Sequence, residues 1–144
     1  MAPITVRAPR DEDELEEALA LRHEVFCVEQ GVAVNADRDG RDHEAAQLVA
    51  EREGRIVGTC RLLVDGGVAR LGRMAVSRAA RGKGVGALLL EEAARVAADH
   101  GADRILLHAQ VPARGVYDRA GYVPVSGVFV EEGIDHLTME KRLA

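Results

Sequence analysis

The segment with the most evident chemistry is a glycine-rich stretch that follows a predicted strand and opens a predicted helix. Its sequence is Arg81-Gly82-Lys83-Gly84-Val85-Gly86-Ala87. Glycine lets the backbone approach a ligand closely and adopt a positive φ. The first turn of a helix presents unpaired N–H groups to an anion. Arg78, Arg81 and Lys83 add positive charge to this stretch, which together with the glycines predicts a binding site for a pyrophosphate group.

Two nucleotide-binding loops have related patterns, and spacing separates them from this one. A P-loop requires Gly-Lys followed by Ser or Thr, whereas Lys83 precedes Gly84, and Ser77 stands where the leading glycine belongs. A dinucleotide-binding fingerprint is formally present from Gly82 to Ala87. However, five residues separate it from the preceding strand, and the next strand has no acidic residue at its end. The P-loop is excluded, and a Rossmann-type nucleotide-binding protein is the less favoured alternative.

Acidic, histidine and cysteine residues outside this loop do not form a metal-binding pattern. Asp37, Asp39 and Asp42 suggest calcium, but the residues between them break the EF-hand spacing. His23 and Cys27 are four residues apart on a predicted helix, without an evident third ligand. We therefore predict that the protein has no metal. The acidic loop either attracts a cationic amine or is simply solvated.

The elements that must position the glycine loop follow from hydrophobic periodicity. Strands are predicted at residues 4–6, 47–52, 55–64, 68–76, 105–108, 122–130 and 133–141. Helices are predicted from residue 11, from 84 to 100, and between Pro112 and Gly121, with a loop at 31–44. The strands at 47–76 read as an antiparallel meander. The strand–helix–strand unit after them predicts a parallel pair.

Length and composition limit the class of protein. The 144 residues predict one domain, and 47% hydrophobic with 30% charged residues is a soluble globular composition. A net charge of −5 and few aromatic residues argue against a nucleic-acid partner. No apolar run is long enough for a membrane span, and the N-terminus lacks the apolar core of a signal peptide. We expect a cytoplasmic protein without a membrane partner.

The pattern Arg81-x-x-Gly84-x-Gly86 resembles the acyl-CoA pyrophosphate loop of the GCN5-related N-acetyltransferases, the GNAT superfamily, whose order of elements matches almost the whole chain. Three other stretches resemble its ElaA-like branch: Arg22-His-Glu-Val-Phe-Cys-Val-Glu-Gln30, the acidic residues of the 37–42 segment, and Glu131-Glu-Gly-Ile-Asp-His-Leu-x-Met139. Cys27 replaces a more usual Val, and Glu132 an Asp. The resemblance implies one GNAT-type α/β domain over residues 1–144, with a mixed, strongly twisted sheet and helices on both faces.

The resemblance also implies roles for individual residues. The strand ending at Val76 would splay from its parallel neighbour, and the Val76 N–H would polarise the thioester carbonyl as an oxyanion-hole donor. Tyr117, in the stretch Val116-Tyr-Asp-Arg-Ala-Gly-Tyr122, looks like the family's catalytic tyrosine. A phenol is a suitable acid for a departing thiolate. Gln110 stands where the family often has Asn. The implied cofactor-binding residues are Met74, Ala75, Val76, Arg81, Gly82, Lys83, Gly84, Val85, Gly86, Ala87, Gln110, Ala113 and Tyr117.

Direct transfer to an amine needs a base, because an ammonium group has no lone pair. Glu29, His108 and His136 are the candidates, and the sequence does not choose among them. The predicted function is transfer of an acetyl group from the cosubstrate acetyl-CoA to a primary amine of a small molecule or peptide. A non-catalytic acyl-CoA binding module is an alternative. An exposed closing hairpin is compatible with a homodimer.

Overall fold

The computed structural model describes residues 2–143, in which eight strands form one sheet. The strand order is β1-β2-β3-β4-β5-β8-β6, and β7 also pairs with β8. The strands are β1 (Thr5–Arg7), β2 (Ala46–Arg52), β3 (Arg55–Asp65), β4 (Val68–Val76), β5 (Arg104–Gln110), β6 (Val123–Pro124), β7 (Phe129–Glu131) and β8 (Ile134–Arg142). β4 and β5 run parallel and the other described pairs run antiparallel, which confirms the predicted meander and the predicted parallel pair.

In the described part of the chain, four α-helices accompany the sheet: α1 (Glu12–Arg22), α2 (Val34–Asp37), α3 (Val85–Asp99) and α4 (Arg114–Arg119). α1 begins where predicted because the Asp11 side chain accepts a hydrogen bond from the Glu14 N–H at 2.9 Å. Acidic residues in its first turn suit the positive end of the helix dipole. The chain then continues without a break into a π-helix at His23–Glu29, a segment type that sequence periodicity does not reveal.

The helices cover both faces of the sheet, as expected. On β2, Val49 packs with Ala18 of α1 on one face, while Leu48 and Ala50 belong to the core that includes Leu89 of α3 on the other. This arrangement follows from the alternation of side chains along a strand. Within residues 2–143, no helix has the length and apolar character needed to cross a membrane.

The prediction of one continuous strand at 122–130 is wrong. Instead, β6 and β7 are two short strands on one edge of β8, separated by residues 125–128. Here the Val125 N–H donates to the Thr138 carbonyl at 2.9 Å. The Thr138 N–H donates to the Ser126 hydroxyl at 2.8 Å. A side chain thus replaces a backbone acceptor, and the ladder is interrupted.

Gly58 of β3 brings the sheet and α3 close together. A Cβ atom at this position would lie 2.6 Å from Val85 Cγ1 and 3.1 Å from Leu89 Cδ1. Such distances are shorter than van der Waals contact, so any larger residue would displace the Val85 and Leu89 side chains or the helix that carries them. Because Val85 is the first residue of α3, this contact fixes the start of the helix against β3.

Candidate active site

The parallel pair β4–β5 opens into a cleft. The two strands are in register from Val68↔Arg104 to Leu71↔Leu107, and the ladder ends there. Beyond this point β4 continues to pair with β3 as far as Val76, while β5 pairs with β8 as far as Gln110. The gap belongs to a cleft of about 1460 Å³ that extends over both faces of the sheet.

The backbone of Val76 is directed into this gap. The Ser77 N–H donates to the Val57 carbonyl at 2.9 Å, and Val76 lies opposite Gly58. In an antiparallel ladder this pattern makes Gly58↔Val76 a non-hydrogen-bonded pair. The N–H and C=O of Val76 therefore point away from β3, toward the splayed side.

A β-bulge in β4 precedes Val76. Arg61 pairs with Gly72 and Thr59 with Ala75, so two residues of β4, Arg73 and Met74, oppose one residue of β3. Arg73 has φ +55°, an uncommon conformation for a residue with a side chain. Because backbone directions alternate along a strand, the extra residue determines which amides downstream face the gap.

The glycine loop presents free N–H groups beside the cleft. Gly82 and Gly84 have φ of +75° and +83°, which few other residues adopt without strain. The Leu88 N–H donates to the Gly84 carbonyl at 3.1 Å, and no side chain caps α3. The N–H groups of residues 85–87 consequently have no acceptor within the helix. This arrangement can bind a phosphate oxygen, with favourable interaction from the helix dipole.

Tyr117 of α4 lines the same cleft, although its ring is buried. Burial raises the pKa of its hydroxyl to about 12, so the group remains protonated at ordinary pH. Its ring meets that of Tyr122 edge to face, with centroids 6.1 Å apart. Tyr122 lies in the hydrophobic core. Its own hydroxyl is buried and has no hydrogen-bond partner among residues 2–143.

Glu29, at the end of the π-helix, forms an ion pair with the glycine loop. Arg81 donates from one terminal nitrogen to the two Glu29 carboxylate oxygens at 3.1 and 2.8 Å. Its Nε donates to the Val76 carbonyl at 3.0 Å. A nitrogen of Arg78 lies 3.8 Å from the same carboxylate. Arg81 therefore connects the oxyanion-hole candidate to a candidate base, a contact across 52 positions of sequence that no motif indicates.

His108 and His136 also line the cleft, on β5 and β8. Nδ1 of His108 lies 2.8 Å from Glu131 Oε2, and half of the His108 side chain is exposed. His136 is buried, with its Nδ1 2.7 Å from the Ile134 carbonyl oxygen. The structure thus brings all three predicted bases to one cleft, in three different environments.

Most of the remaining predicted cofactor residues line the cleft, but Ala75 and Lys83 do not. Met74, Gln110 and Ala113 line the cleft, as do residues 81, 82 and 84–87 of the loop. Ala75 is buried, and Lys83 is exposed on the loop. The side chains of Gln110 and Gln30 exchange two hydrogen bonds, at 3.0 and 3.3 Å. This amide pair holds the end of β5 to the segment that follows the π-helix.

Three arginines form a cluster of ion pairs with the acidic loop, which the sequence analysis did not predict. We call it the arginine–aspartate cluster; it comprises Arg22, Arg61, Arg73, Asp37, Asp39 and Asp42. Arg61 pairs with Asp39 and Asp42, and Arg73 donates to the carbonyls of Ala36 and Asp37 at 2.8 and 3.1 Å. The acidic loop is therefore held to the β4 bulge by its own carboxylates and carbonyls. The available signal was an arginine at a core-facing position: Arg22 is fully buried on α1.

The arginine contacts change the protonation of the loop. The hydrogen bond from Arg61 holds the pKa of the Asp39 carboxyl well below its ordinary value of 3.8, although burial opposes this. Burial likewise raises the pKa of Asp42, but hydrogen bonds from Arg22 and Arg61 outweigh it and lower the pKa overall. Among the described residues, no three His, Cys, Asp or Glu side chains form a group that could hold a metal ion.

Comparison with known proteins places this architecture in a family. Residues 11–143 match the family model described as the acetyltransferase (GNAT) domain. The chain belongs to the GNAT acetyltransferase family. It is 33% identical to an uncharacterized N-acetyltransferase, YjcF, of Bacillus subtilis, over 92% of this chain and 95% of YjcF.

Two further relatives agree with this assignment. ElaA of Escherichia coli is 31% identical over 87% of this chain and 85% of ElaA, and its crystal structure aligns with a TM-score of 0.85 over 99% of this chain and 100% of ElaA. The structure of an acyl-CoA N-acyltransferase from Pseudomonas aeruginosa has a TM-score of 0.81, with 35% identity over 98% of this chain and 99% of that one. The predicted GNAT fold and ElaA-like resemblance are confirmed, and the Rossmann-type alternative is wrong.

Proposed function

We propose that this GNAT protein transfers an acetyl group from acetyl-CoA to a primary amine by direct attack. The observation that carries the proposal is the end of the β4–β5 ladder at Leu71↔Leu107, which leaves the Val76 amide directed into the gap. The free N–H groups at the start of α3 lie along the same cleft. A thioester at the splayed strands and a pyrophosphate at the helix start would meet suitable donors at both ends.

Acetyl-CoA supplies the acetyl group as a thioester: the amine nitrogen forms the new C–N bond while the C–S bond breaks. The Val76 N–H stabilises the negative charge that develops on the carbonyl oxygen. The Tyr117 hydroxyl donates a proton to the departing sulfur, which is a better acceptor once the C–S bond breaks. The nitrogen loses one proton on attack, and Tyr117 recovers a proton through solvent, so the hydroxyl is restored.

A proton-transfer role for Tyr117 agrees with its surroundings. With a pKa of about 12, the hydroxyl does not ionise before the reaction at neutral pH. Its edge-to-face contact with Tyr122 fixes the ring in the wall of the cleft. A non-catalytic acyl-CoA binding module would need the loop and the splayed strands, but it would have no use for this hydroxyl.

Two measurements test the proposal. Binding is followed as the thermal shift with acetyl-CoA, CoA and NADH in parallel, because a ligand at about 100 times its Kd stabilises a fold by about 2.7 kcal/mol. We expect a shift with both CoA compounds and none with NADH. Transfer is followed as thiol release with a panel of primary amines; Tyr117→Phe should lower kcat roughly 10²–10⁴-fold.

Tyr122→Phe is the matched control, because it removes a hydroxyl from the neighbouring ring in the core. Thiol release by Tyr117→Phe at the parental rate would refute the acid role. Binding of CoA without transfer to any amine would favour the binding module.

We further propose an acceptor class, a location and an assembly for this protein. The acceptor is a small molecule or peptide amine, and we place the protein in the cytoplasm as one domain without metal, nucleic-acid or membrane partners. The surface we assign to a second copy of the chain is the β6–β7 edge. Its backbone is open to pairing, and four of its valines, Val123, Val125, Val128 and Val130, are exposed. Light scattering during size-exclusion chromatography measures whether the dimer forms.

A further inference from the structure

The two faces of β5 divide the cleft into a core side and an open side. Leu107 and Ala109 are buried in the core shared with α3. His108 and Gln110 alternate with them and therefore turn to the opposite face. This is the face on which Gln30 meets Gln110, and we call it the acceptor face. The three candidate bases reach the cleft in surroundings that are not equivalent.

His108 forms a directed pair with Glu131 of β7. Nδ1 lies 2.8 Å from Glu131 Oε2 and 3.5 Å from Oε1. An ionised carboxylate can only accept hydrogen bonds, so Nδ1 must carry the hydrogen. In the neutral ring this leaves the lone pair on Nε2. About half of each side chain is exposed, at 50% and 43%, so the ring can be reached from the cleft.

Aromatic packing fixes the orientation of this ring. Phe129 meets His108 edge to face, with centroids 5.1 Å apart and planes at 79°. Phe129 also stacks on His136, with ring centroids 6.1 Å apart and planes at 20°. Phe129 and Glu131 lie on the same face of β7, because residues two apart on a strand share a face. One short strand therefore supplies both the packing surface and the hydrogen-bond acceptor for His108.

The other two candidates are less suited to accept a proton. The Glu29 carboxylate already accepts two hydrogen bonds from Arg81 and lies near Arg78, so its oxygens are bonded to a guanidinium group before any amine arrives. His136 is buried, and its Nδ1 has a neutral carbonyl as partner. An amine therefore has less access to this ring than to that of His108, and within residues 2–143 the His136 ring forms no hydrogen bond with a carboxylate.

We propose that His108 is the catalytic base for the acceptor amine and that Glu131 is its positioning residue. This inference rests on the proposed acetyl transfer. Nε2 of His108 takes one proton from the acceptor ammonium group, which gives the nitrogen its lone pair. The resulting imidazolium is stabilised by the Glu131 carboxylate until the proton passes to solvent. The logic is that of a base oriented by a carboxylate in other acyl-transfer enzymes.

Other charged groups around His108 do not reproduce this geometry. Glu132 follows in the β7–β8 turn, and Glu29 belongs to the π-helix side of the same cleft. Glu140 and Arg70 are in register with Leu106, two residues before His108 on β5. These groups affect the local potential, but the bonded carboxylate is that of Glu131.

Kinetics with defined primary amines, propylamine, benzylamine and ethylenediamine, test the assignment. His108→Gln should lower kcat/KM for the amine roughly 10²–10⁴-fold near neutral pH, with KM for acetyl-CoA unchanged. The defect should shrink as the pH approaches the pKa of the amine itself, because the nucleophile then arrives neutral. A merely structural role would lower the rate equally at every pH, and that result would overturn the proposal.

Glu131→Ala should lower kcat/KM roughly 10–100-fold, the equivalent of one hydrogen bond to a charged group. Glu131→Gln should fall between this variant and the parent. The matched control is Asp135→Asn, which removes an exposed carboxylate from the same hairpin, next to Ile134 on β8. We expect the parental rate for this variant. An equal loss in Asp135→Asn and Glu131→Gln would refute the positioning role.

A readout without substrate separates this inference from the proposed function. Proton–nitrogen correlation spectra of the imidazole rings in the ligand-free protein report which nitrogen carries the hydrogen, and His108→Gln assigns the signal. We expect hydrogen on Nδ1 in the parent and a mixture of tautomers in Glu131→Ala. Hydrogen on Nε2 in the parent would overturn the pair. Absence of transfer by the parent would overturn the proposed function and the base role together, whereas undiminished transfer by His108→Gln would overturn the base role alone.

Discussion

The arginine–aspartate cluster predicts a large loss of stability when Arg22 is replaced by methionine. The Arg22 side chain is 0% exposed, and it donates to Asp37 Oδ1 at 3.2 Å, to the Asp37 carbonyl at 2.8 Å and to Asp42 Oδ1 at 2.6 Å. Methionine fills much of the same volume without a charge, so Arg22→Met leaves the buried Asp37 carboxylate without its bonded partner. Removing one member of a buried pair costs about 3–5 kcal/mol.

The expected value lies near the lower limit of that range. Arg73 Nε remains 3.6 Å from Asp37 Oδ1 and continues to stabilise part of its charge. Asp42 also retains Arg61, at 3.2 Å. We therefore expect a loss of about 3 kcal/mol, which lowers Tm by on the order of 10 °C in a chain of this length. Urea unfolding of Arg22→Met and the parent measures the difference.

A surface pair supplies the matched control. Arg41 and Glu44 form an ion pair with side chains 53% and 46% exposed, so Arg41→Met should cost less than about 1 kcal/mol. The double variant Arg22→Met/Asp37→Asn tests the cause, because it removes the stranded charge. If the double variant is no more stable than Arg22→Met alone, the cost does not arise from an unpaired carboxylate and the reasoning fails.

Three other predictions concern packing, a buried hydroxyl and pH. Gly58→Ala should destabilise the fold by about 1–3 kcal/mol in urea unfolding, because its Cβ would overlap α3; Gly127→Ala, where nothing lies within 4 Å, should be neutral. Tyr122→Phe should stabilise the fold by about 1 kcal/mol, since it removes an unsatisfied hydroxyl; a loss would show that the hydroxyl has a partner. The low pKa of Asp39 beside Arg61 contributes stability that is present above the unfolded value of 3.8 and is lost as pH falls below it. Asp39→Asn should therefore be less stable than the parent at pH 7, by about 1 kcal/mol after screening by solvent, with the difference closing below pH 4 in acid titrations of Tm; a gap constant with pH would contradict the assignment.

Local patterns predicted the elements that depend on local chemistry. The start of α3 follows from glycines at 82 and 84, which both adopt a positive φ, and from the change to helical periodicity. The break between β6 and β7 was not predictable, because the valine-rich run at 123–130 favours one strand and only the Ser126 side chain, bonding across to β8, reveals the interruption. Hydrophobic patterning does not report such a bond.

Long-range polar contacts were the main part of the site that could not be predicted from the sequence. The ion pair between Glu29 and Arg81 spans 52 positions, and that between Arg73 and Asp39 spans 34. Taken alone, each of these charged residues is typical of a solvent-exposed surface. Nothing in the sequence favours one of Glu29, His108 and His136 over the others as the base. It does not show which of their nitrogen or oxygen atoms already has a hydrogen-bond partner. The side-chain contacts that Phe129 and Glu131 of β7 make with His108 distinguish them.

The bulge at Arg73 connects the acidic loop to the strand that carries Val76. Its extra residue is what turns the Val76 amide toward the splayed strands. The same residue donates through its side chain to the Ala36 and Asp37 carbonyls, so the acidic loop is bonded to the bulge itself. A displacement of that loop would therefore act on the backbone conformation of β4, three residues before Val76. This coupling gives a physical reason for an arginine with a left-handed backbone at position 73, where glycine alone would relieve the strain but could not hold the loop.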